Sequence, residues 1–243
     1  MQTRQPTPSM IPGPLITLLS FLAFVLLLAG PRPCWSQAAS SPVLLYNTFT
    51  DGNDAGWTQI NRDWHVWHGR YSLDGGYRSD AASRDGFSVT HVGDQTWRNY
   101  LFEALFDNIN PAGRPSVDVH NVFLFVRVQA PPPNGTFYRI QVWPRWTTDP
   151  RGRPGRIPAG LVQLEKFENG NLTAYVFNEN SNSVAGTNEI AVSAIGGKID
   201  IWINGQNVLT YTDKIPLLYG GVGIGAIWEA QAWFDNIKVT AVQ

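Results

Sequence analysis

With 243 residues, 18 basic and 19 acidic side chains, ten tryptophans and one cysteine, the chain is long enough for a sizeable core and close to neutral. A net charge of −1 argues against nucleic acid as the main partner. A single cysteine excludes an internal disulfide framework, so any core must hold by packing alone.

Arg4 is the only charge before an apolar stretch from Leu15 to Ala29, and small residues follow in CWSQAAS. A basic start, a short apolar run and a small-residue exit mark a secretory signal peptide. Residues 1–38 are expected to be removed, with cleavage after Ser36 or Ala38, leaving a domain at 39–243. A spanning helix needs about 20 apolar residues, and Pro31 and Pro33 end this run early. A lipidated Cys34 is a further alternative, but GPRP before it lacks the Leu-small-small approach. The mature chain is therefore expected to be soluble, secreted or periplasmic, and free of the membrane. Removing Arg4 and Arg32 from the 18 basic residues leaves 16 against 19 acidic ones, a net charge of −3.

From residue 40 onward the pattern has period two, broken by Gly, Asn, Asp and Pro. In NVFLFVRVQA, Val122, Leu124, Val126 and Val128 take one face, opposite Phe123, Phe125, Arg127 and Gln129. In TFYRIQVWP, Tyr138, Ile140 and Val142 oppose Phe137, Arg139, Gln141 and Trp143. Ile199, Ile201 and Ile203 point inward before a turn at Asn204-Gly205, and Asn169-Gly170 makes a second such turn. Asn-Gly between alternating runs is a strong hairpin signal. No helix of three turns is expected, and ten or more short strands predict an all-β sandwich or barrel. The stretch 144–160 is irregular and holds Arg145, Arg151, Arg153 and Arg156, a loop long enough to be functional or simply solvated.

Four motifs in order resemble the concanavalin A-like, laminin G-like jelly rolls. They are FTDGNDAGWTQINRDWHVWHGRYS, then VFLFVRVQ followed by GTFYRIQV, then the KIDIWING hairpin, and finally GVGIG with WFDNIKV. The resemblance covers about residues 45–241, and the nearest relatives it implies are 3-keto-disaccharide hydrolase domains. It implies a two-sheet antiparallel jelly-roll sandwich and, with it, carbohydrate as the partner. The chain departs from those relatives at its start, where LLYNTFTDGNDAGW replaces a Leu-Phe-Asn/Asp-Gly run.

The tryptophan-rich opening poses a choice between sugar platform, metal site and core. Alternation sends His65 and His68 apart, which disfavours a shared metal. The resemblance makes Trp57, Trp64 and Val66 core positions, with Trp67-His68-Gly69 at a hairpin turn. A buried indole N–H is then expected to find a partner.

Sugar recognition needs flat aromatic faces and planar donors and acceptors. The concave sheet face is expected to offer both in Arg127, Arg139, Gln141 and Trp143, with Trp146 at its end. The loop arginines would suit an acidic glycan through bidentate pairing. Catalysis is less legible. The Glu-x-Asp-x-Glu strand motif of family-16 glucanases is absent, and Glu103 and Asp107 lie about 13 Å apart along one strand, too far for a retaining pair. The four histidines show no metal-ligand spacing. No resident cofactor is expected, except that Asp235 with Asp51 or Asp54 could share a structural calcium. Three functions remain open on the sequence: a lectin-like module, a hydrolase or lyase of the 3-keto-disaccharide type, and an adhesive module.

Overall fold

The computed structural model describes residues 41–60, 64–73, 87–109, 121–144, 147–148, 156–183, 186–227 and 231–243. The expected leader, Arg145, Trp146, Arg151 and Arg153 lie outside the described residues. Seventeen strands and no helix occur among the described residues. In chain order they are β1 Val43–Asn47, β2 Thr58–Gln59, β3 Trp64–Trp67, β4 Arg70–Leu73, β5 Phe87–Val92 and β6 Tyr100–Ile109. Next come β7 Val122–Ala130, β8 Thr136–Trp143, β9 Thr147–Thr148, β10 Arg156–Ile157, β11 Leu161–Glu168 and β12 Asn171–Asn178. The last five are β13 Asn188–Ile195, β14 Lys198–Ile203, β15 Gln206–Thr212, β16 Gly221–Ile227 and β17 Gln231–Ala241.

Two large antiparallel sheets and a two-stranded ribbon, β9 with β10, result. The first runs β15-β14-β13-β6-β17-β4-β3, with β1 also on β17, and the second runs β12-β11-β8-β7-β16-β5-β2. The jelly-roll sandwich expected from the sequence is thus present. Its hairpins form where the Asn-Gly pairs stand. Asn169 and Gly170 (φ 51° and 77°) join β11 to β12, and Asn204 and Gly205 (49° and 77°) join β14 to β15. Two successive residues at positive φ give the turn whose twist matches that of paired strands. His68 and Gly69 (49° and 70°) do the same between β3 and β4.

The inner faces meet in one core. Val122, Leu124 and Val126 of β7 and Tyr138, Ile140 and Val142 of β8 face Phe102, Phe106, Ile199, Ile201, Ile203 and Phe234 of the first sheet. The aromatic opening closes one end of this core. Phe49 stacks on Tyr71 at 4.9 Å, and Trp57 and Trp64 tilt against the same ring at 5.6 and 5.2 Å. Both indole N–H groups are buried without an acceptor, contrary to the expectation that each would find one. Trp67, at the hairpin end, is 60% exposed.

One strand breaks the predicted alternation. Arg127 has φ 56°, and the register of β7 slips there against both β8 and β16. A bulge adds a residue and reverses which side the subsequent side chains face. Arg127 turns inward and Val128 joins the apolar cluster on the outer face, the reverse of the expected placement for both.

Candidate functional site

The outer face of the second sheet is arranged in two cross-strand rows. Register aligns Phe125, Arg139, Glu165 and Tyr175 across β7, β8, β11 and β12, and beside them Phe123, Gln141, Gln163 and Phe177. Directly opposite residues on one face have Cβ atoms about 5 Å apart, close enough to interact. Arg139 Nε donates to Glu165 Oε2 at 2.7 Å, Gln141 Nε2 donates to the same oxygen at 2.7 Å, and Asn121 Nδ2 reaches Gln141 Oε1 at 3.4 Å. The Arg139 guanidinium lies over the rings of Phe123 (5.2 Å) and Phe167 (4.9 Å). Phe137 meets Phe125 edge-on at 5.3 Å and stacks on Phe167 at 5.2 Å. The face therefore combines a charged hydrogen-bonding centre with an aromatic surround.

Arg139, Gln141 and Trp143 share this face as expected, but they do not project into an open trough. All three are buried, and the Trp143 indole N–H has no hydrogen-bond partner. The reason is composition: Phe123, Phe125 and Phe137 alternate with the polar residues and form a second apolar cluster with Val89 and Val128. The glycines of β16 assist. A Cβ on Gly225 would stand 3.2 and 3.3 Å from the rings of Phe125 and Phe123, and 2.8 Å from the Ser88 carbonyl. With no side chain at Gly223 and Gly225, β16 lets these rings lie over the sheet.

Exposure increases toward the edge strand. On β12, Tyr175 (45%) and Phe177 (54%) stand open to solvent with ring centroids 5.7 Å apart at 36°. Gln163 lies beside them, half-buried. Glu165, Tyr175 and Phe177 are absent from the site expected on sequence grounds. Their signal lies in the alternation of LVQLEKFE and NLTAYVF about the Asn-Gly turn, which puts all three on the Arg139 side.

Arg127 is a correction to the expected site. Its Nη2 donates to the Ala194 carbonyl of β13 at 2.7 Å, Nη1 donates to the Leu218 carbonyl, and the guanidinium lies 5.2 Å over the Tyr100 ring. The Tyr100 hydroxyl in turn accepts the Arg127 backbone N–H at 2.7 Å. Burial pulls the guanidinium below its ordinary pKa and raises the Tyr100 phenol. The side chain ties the two sheets and the segment after β15 together from inside, away from Arg139. A second buried cation holds the same segment. Lys166 Nζ lies 3.0 Å from Asp213 Oδ2 and donates to the Ile215 carbonyl, while the Tyr138 hydroxyl donates to Asp213 at 2.6 Å.

The acidic residues expected to hold calcium are already engaged. Asp54 Oδ2 accepts from Gln59 Nε2 and Tyr71 Oη, both at 2.9 Å. Asp235 Oδ1 accepts the Asn236 N–H at 2.6 Å, and Asp51 takes the Asn53 side chain at 2.5 Å. Among the described residues no three His, Cys, Asp or Glu side chains gather as a metal site. Glu103 faces Lys238 at 3.8 Å. His91, opposite Gly223 in register, has its pKa lowered by burial.

A family model described as a 3-keto-alpha-glucoside-1,2-lyase-like domain matches residues 46–240. Among solved structures, carbohydrate-binding module CBM66 from Bacillus subtilis aligns at 19% identity and TM-score 0.55, over 78% of this chain and 98% of its own. A Bacillus licheniformis β-glucanase aligns at 14% and 0.54, over 85% and 100%. A glycosyl hydrolase, so named provisionally, from Parabacteroides distasonis aligns at 16% and 0.50, over 82% and 94%. At these identities the likeness is one of fold. No curated protein matches the chain in sequence.

Proposed function

We propose that this chain, which belongs to the 3-keto-alpha-glucoside-1,2-lyase-like domain family, is an exported saccharide-binding jelly roll that holds its ligand on the outer face of the second sheet. The observation that carries the reading is the pair of cross-strand rows ending in exposed Tyr175 and Phe177. Their rings offer flat apolar surface to the C–H side of a pyranose, and Gln163 offers both a donor and an acceptor to its hydroxyls. Arg139, Gln141 and Glu165 form the floor that fixes these strands in register. Trp143 closes the floor at the other end of β8. Arg127 has no part in binding. Export by a cleaved leader belongs to the same reading.

Glycan-array or affinity-gel binding of the mature chain tests it. Tyr175→Ala and Phe177→Ala are expected to weaken retention at least tenfold with unchanged thermal melting, because both side chains are exposed. Full binding by both variants removes the site.

Family membership favours a second reading, a lyase or hydrolase acting on 3-keto glycosides. Glu165 is the carboxylate in the two rows, yet its Oε2 is already filled by Arg139 and Gln141. That arrangement suits an orienting group and supports binding ahead of catalysis. Reducing sugar released from a 3-keto glycoside by the wild type, and lost in Glu165→Gln, decides for the enzyme.

A further inference from the structure

We propose a second binding site, on the outer face of the first sheet, for a saccharide unit that carries a carboxylate, such as a uronic acid. Trp67 and Arg70 are its contact residues and Trp233 its support. It shares no residue with the site on the second sheet.

Trp67 contrasts with its relatives in the chain. Trp57, Trp64, Trp143 and Trp233 are buried, whereas Trp67 lies mostly in solvent. It is nevertheless fixed in place. The His68-Gly69 turn pairs Trp67 directly with Arg70 across the hairpin, and the His68 ring meets the indole at 4.2 Å and 69°. One indole is thus presented on a short, two-residue turn rather than on a long loop, so little conformational freedom remains to be lost on binding.

Arg70 is fixed by stacking. Its guanidinium lies 4.0 Å over the centroid of the buried Trp233 ring, on the neighbouring strand β17. Among the described residues no carboxylate stands within ion-pair distance of it. Stacking uses the face of the guanidinium and leaves the N–H fork at its edge unused. A planar carboxylate bonds to such a fork through two parallel N–H···O contacts. Trp67 and Arg70 are cross-strand partners, about 5 Å apart at Cβ, and the guanidinium lies on the β17 side of β4, so a sugar that rests on Trp67 and extends across β4 presents its carboxylate to Arg70. Asp235, two positions along β17 from Trp233 and so on the same face, offers an acceptor for a hydroxyl. A cation and an aromatic platform on a chain of net negative charge select for acidic sugar locally rather than through the overall field.

Affinity electrophoresis of the mature chain through gels containing polygalacturonate, alginate or polyglucuronate tests the proposal, with methyl-esterified polygalacturonate as the neutral control. At least one acidic polymer is expected to retard the wild type, and the ester at least tenfold less. Trp67→Ala and Arg70→Lys should each weaken retardation tenfold or more with unchanged melting, the lysine keeping the charge but losing the fork and the stack. Tyr175→Ala should leave it intact. Retardation by none of the acidic polymers, equal retardation by the ester, or full retardation of Trp67→Ala or Arg70→Lys would overturn the site. Loss in Tyr175→Ala alone would move acidic sugar to the second sheet and overturn it equally.

Discussion

Glu165→Ala offers the sharpest test of the floor beneath the candidate site. In the wild type Glu165 and Arg139 sit on adjacent strands with side chains only 5% and 9% exposed, joined at 2.7 Å. Truncating the acid takes from the buried Arg139 guanidinium the carboxylate its Nε donates to, and from Gln141 its acceptor. Removing one partner of a buried pair costs roughly 3–5 kcal/mol. Arg139 keeps its contacts over Phe123 and Phe167, worth about 0.5–1 kcal/mol each but present before and after, so they do not offset the loss. We therefore expect about 3 kcal/mol, which for a domain of this size lowers Tm by about 6–12 °C. Replacing both groups by apolar residues, Arg139→Met with Glu165→Leu, should recover most of that, because a buried pair offsets little more than its own desolvation. Thermal and urea unfolding of Arg139→Met, Glu165→Leu and the double variant give the coupling directly. A loss below about 1 kcal/mol for Glu165→Ala, or a double variant equal to the sum of the singles, refutes a buried, mutually dependent pair.

Arg127→Lys should cost about 1–3 kcal/mol by leaving the buried Ala194 carbonyl or the part-buried Leu218 carbonyl without a donor. Saccharide binding should be unchanged; a selective loss of binding would return Arg127 to the outer face. Asp213 is expected to govern acid stability. Burial opposes its charge, but donors from Tyr138, the Ile215 N–H and Lys166 hold its carboxyl below the ordinary range. Because the folded pKa is depressed, its contribution is complete above about pH 4, the unfolded value, and is lost as pH falls through the folded one. Tm measured from pH 7 down to pH 2 should drop below about pH 4, and the drop should shrink in Asp213→Asn. Chelation should leave Tm unchanged, since Asp54 and Asp235 already accept hydrogen bonds within the protein. A calcium-dependent rise in Tm would restore the shared ion.

Much of the scaffold is legible in the sequence because its signals are local. Asn169-Gly170 and Asn204-Gly205 specify their hairpins through backbone conformation alone. Ile199, Ile201 and Ile203 follow the pleat, as do Tyr138, Ile140 and Val142. The Arg127 bulge is not legible. Neither glycine nor proline stands at 127, and the positive φ is supported from a distance by the Tyr100 hydroxyl and the carbonyls of Ala194 and Leu218, 27 to 91 residues away in sequence. Long-range contacts of that kind leave no mark on periodicity. A one-residue slip exchanges the faces of every residue beyond it on the strand, which is why strict alternation puts both Arg127 and Val128 on the wrong side.

The burial of the expected trough has a different cause, and here the sequence does carry a mark. A strand with one wet face alternates apolar with polar residues, whereas a strand covered on both faces reads as a nearly continuous apolar run. The stretch VFLFV, residues 122–126, is of the second kind, with Phe123 and Phe125 on the side expected to be open. On β8 the same side carries Phe137 before Arg139, Gln141 and Trp143, so arginine is the exception on that face. Arginine among phenyl rings is held by stacking and by the Glu165 carboxylate, so its Nε is used sideways, across the sheet. The exposed partners must then come from strands with a drier inner side and a wetter outer one. β12 has that pattern, with Tyr175 and Phe177 outside and Val176 packed against the core. Function on this sheet is thus displaced from its centre to its edge, because the aromatic density that would bind a sugar at the centre is already committed to packing.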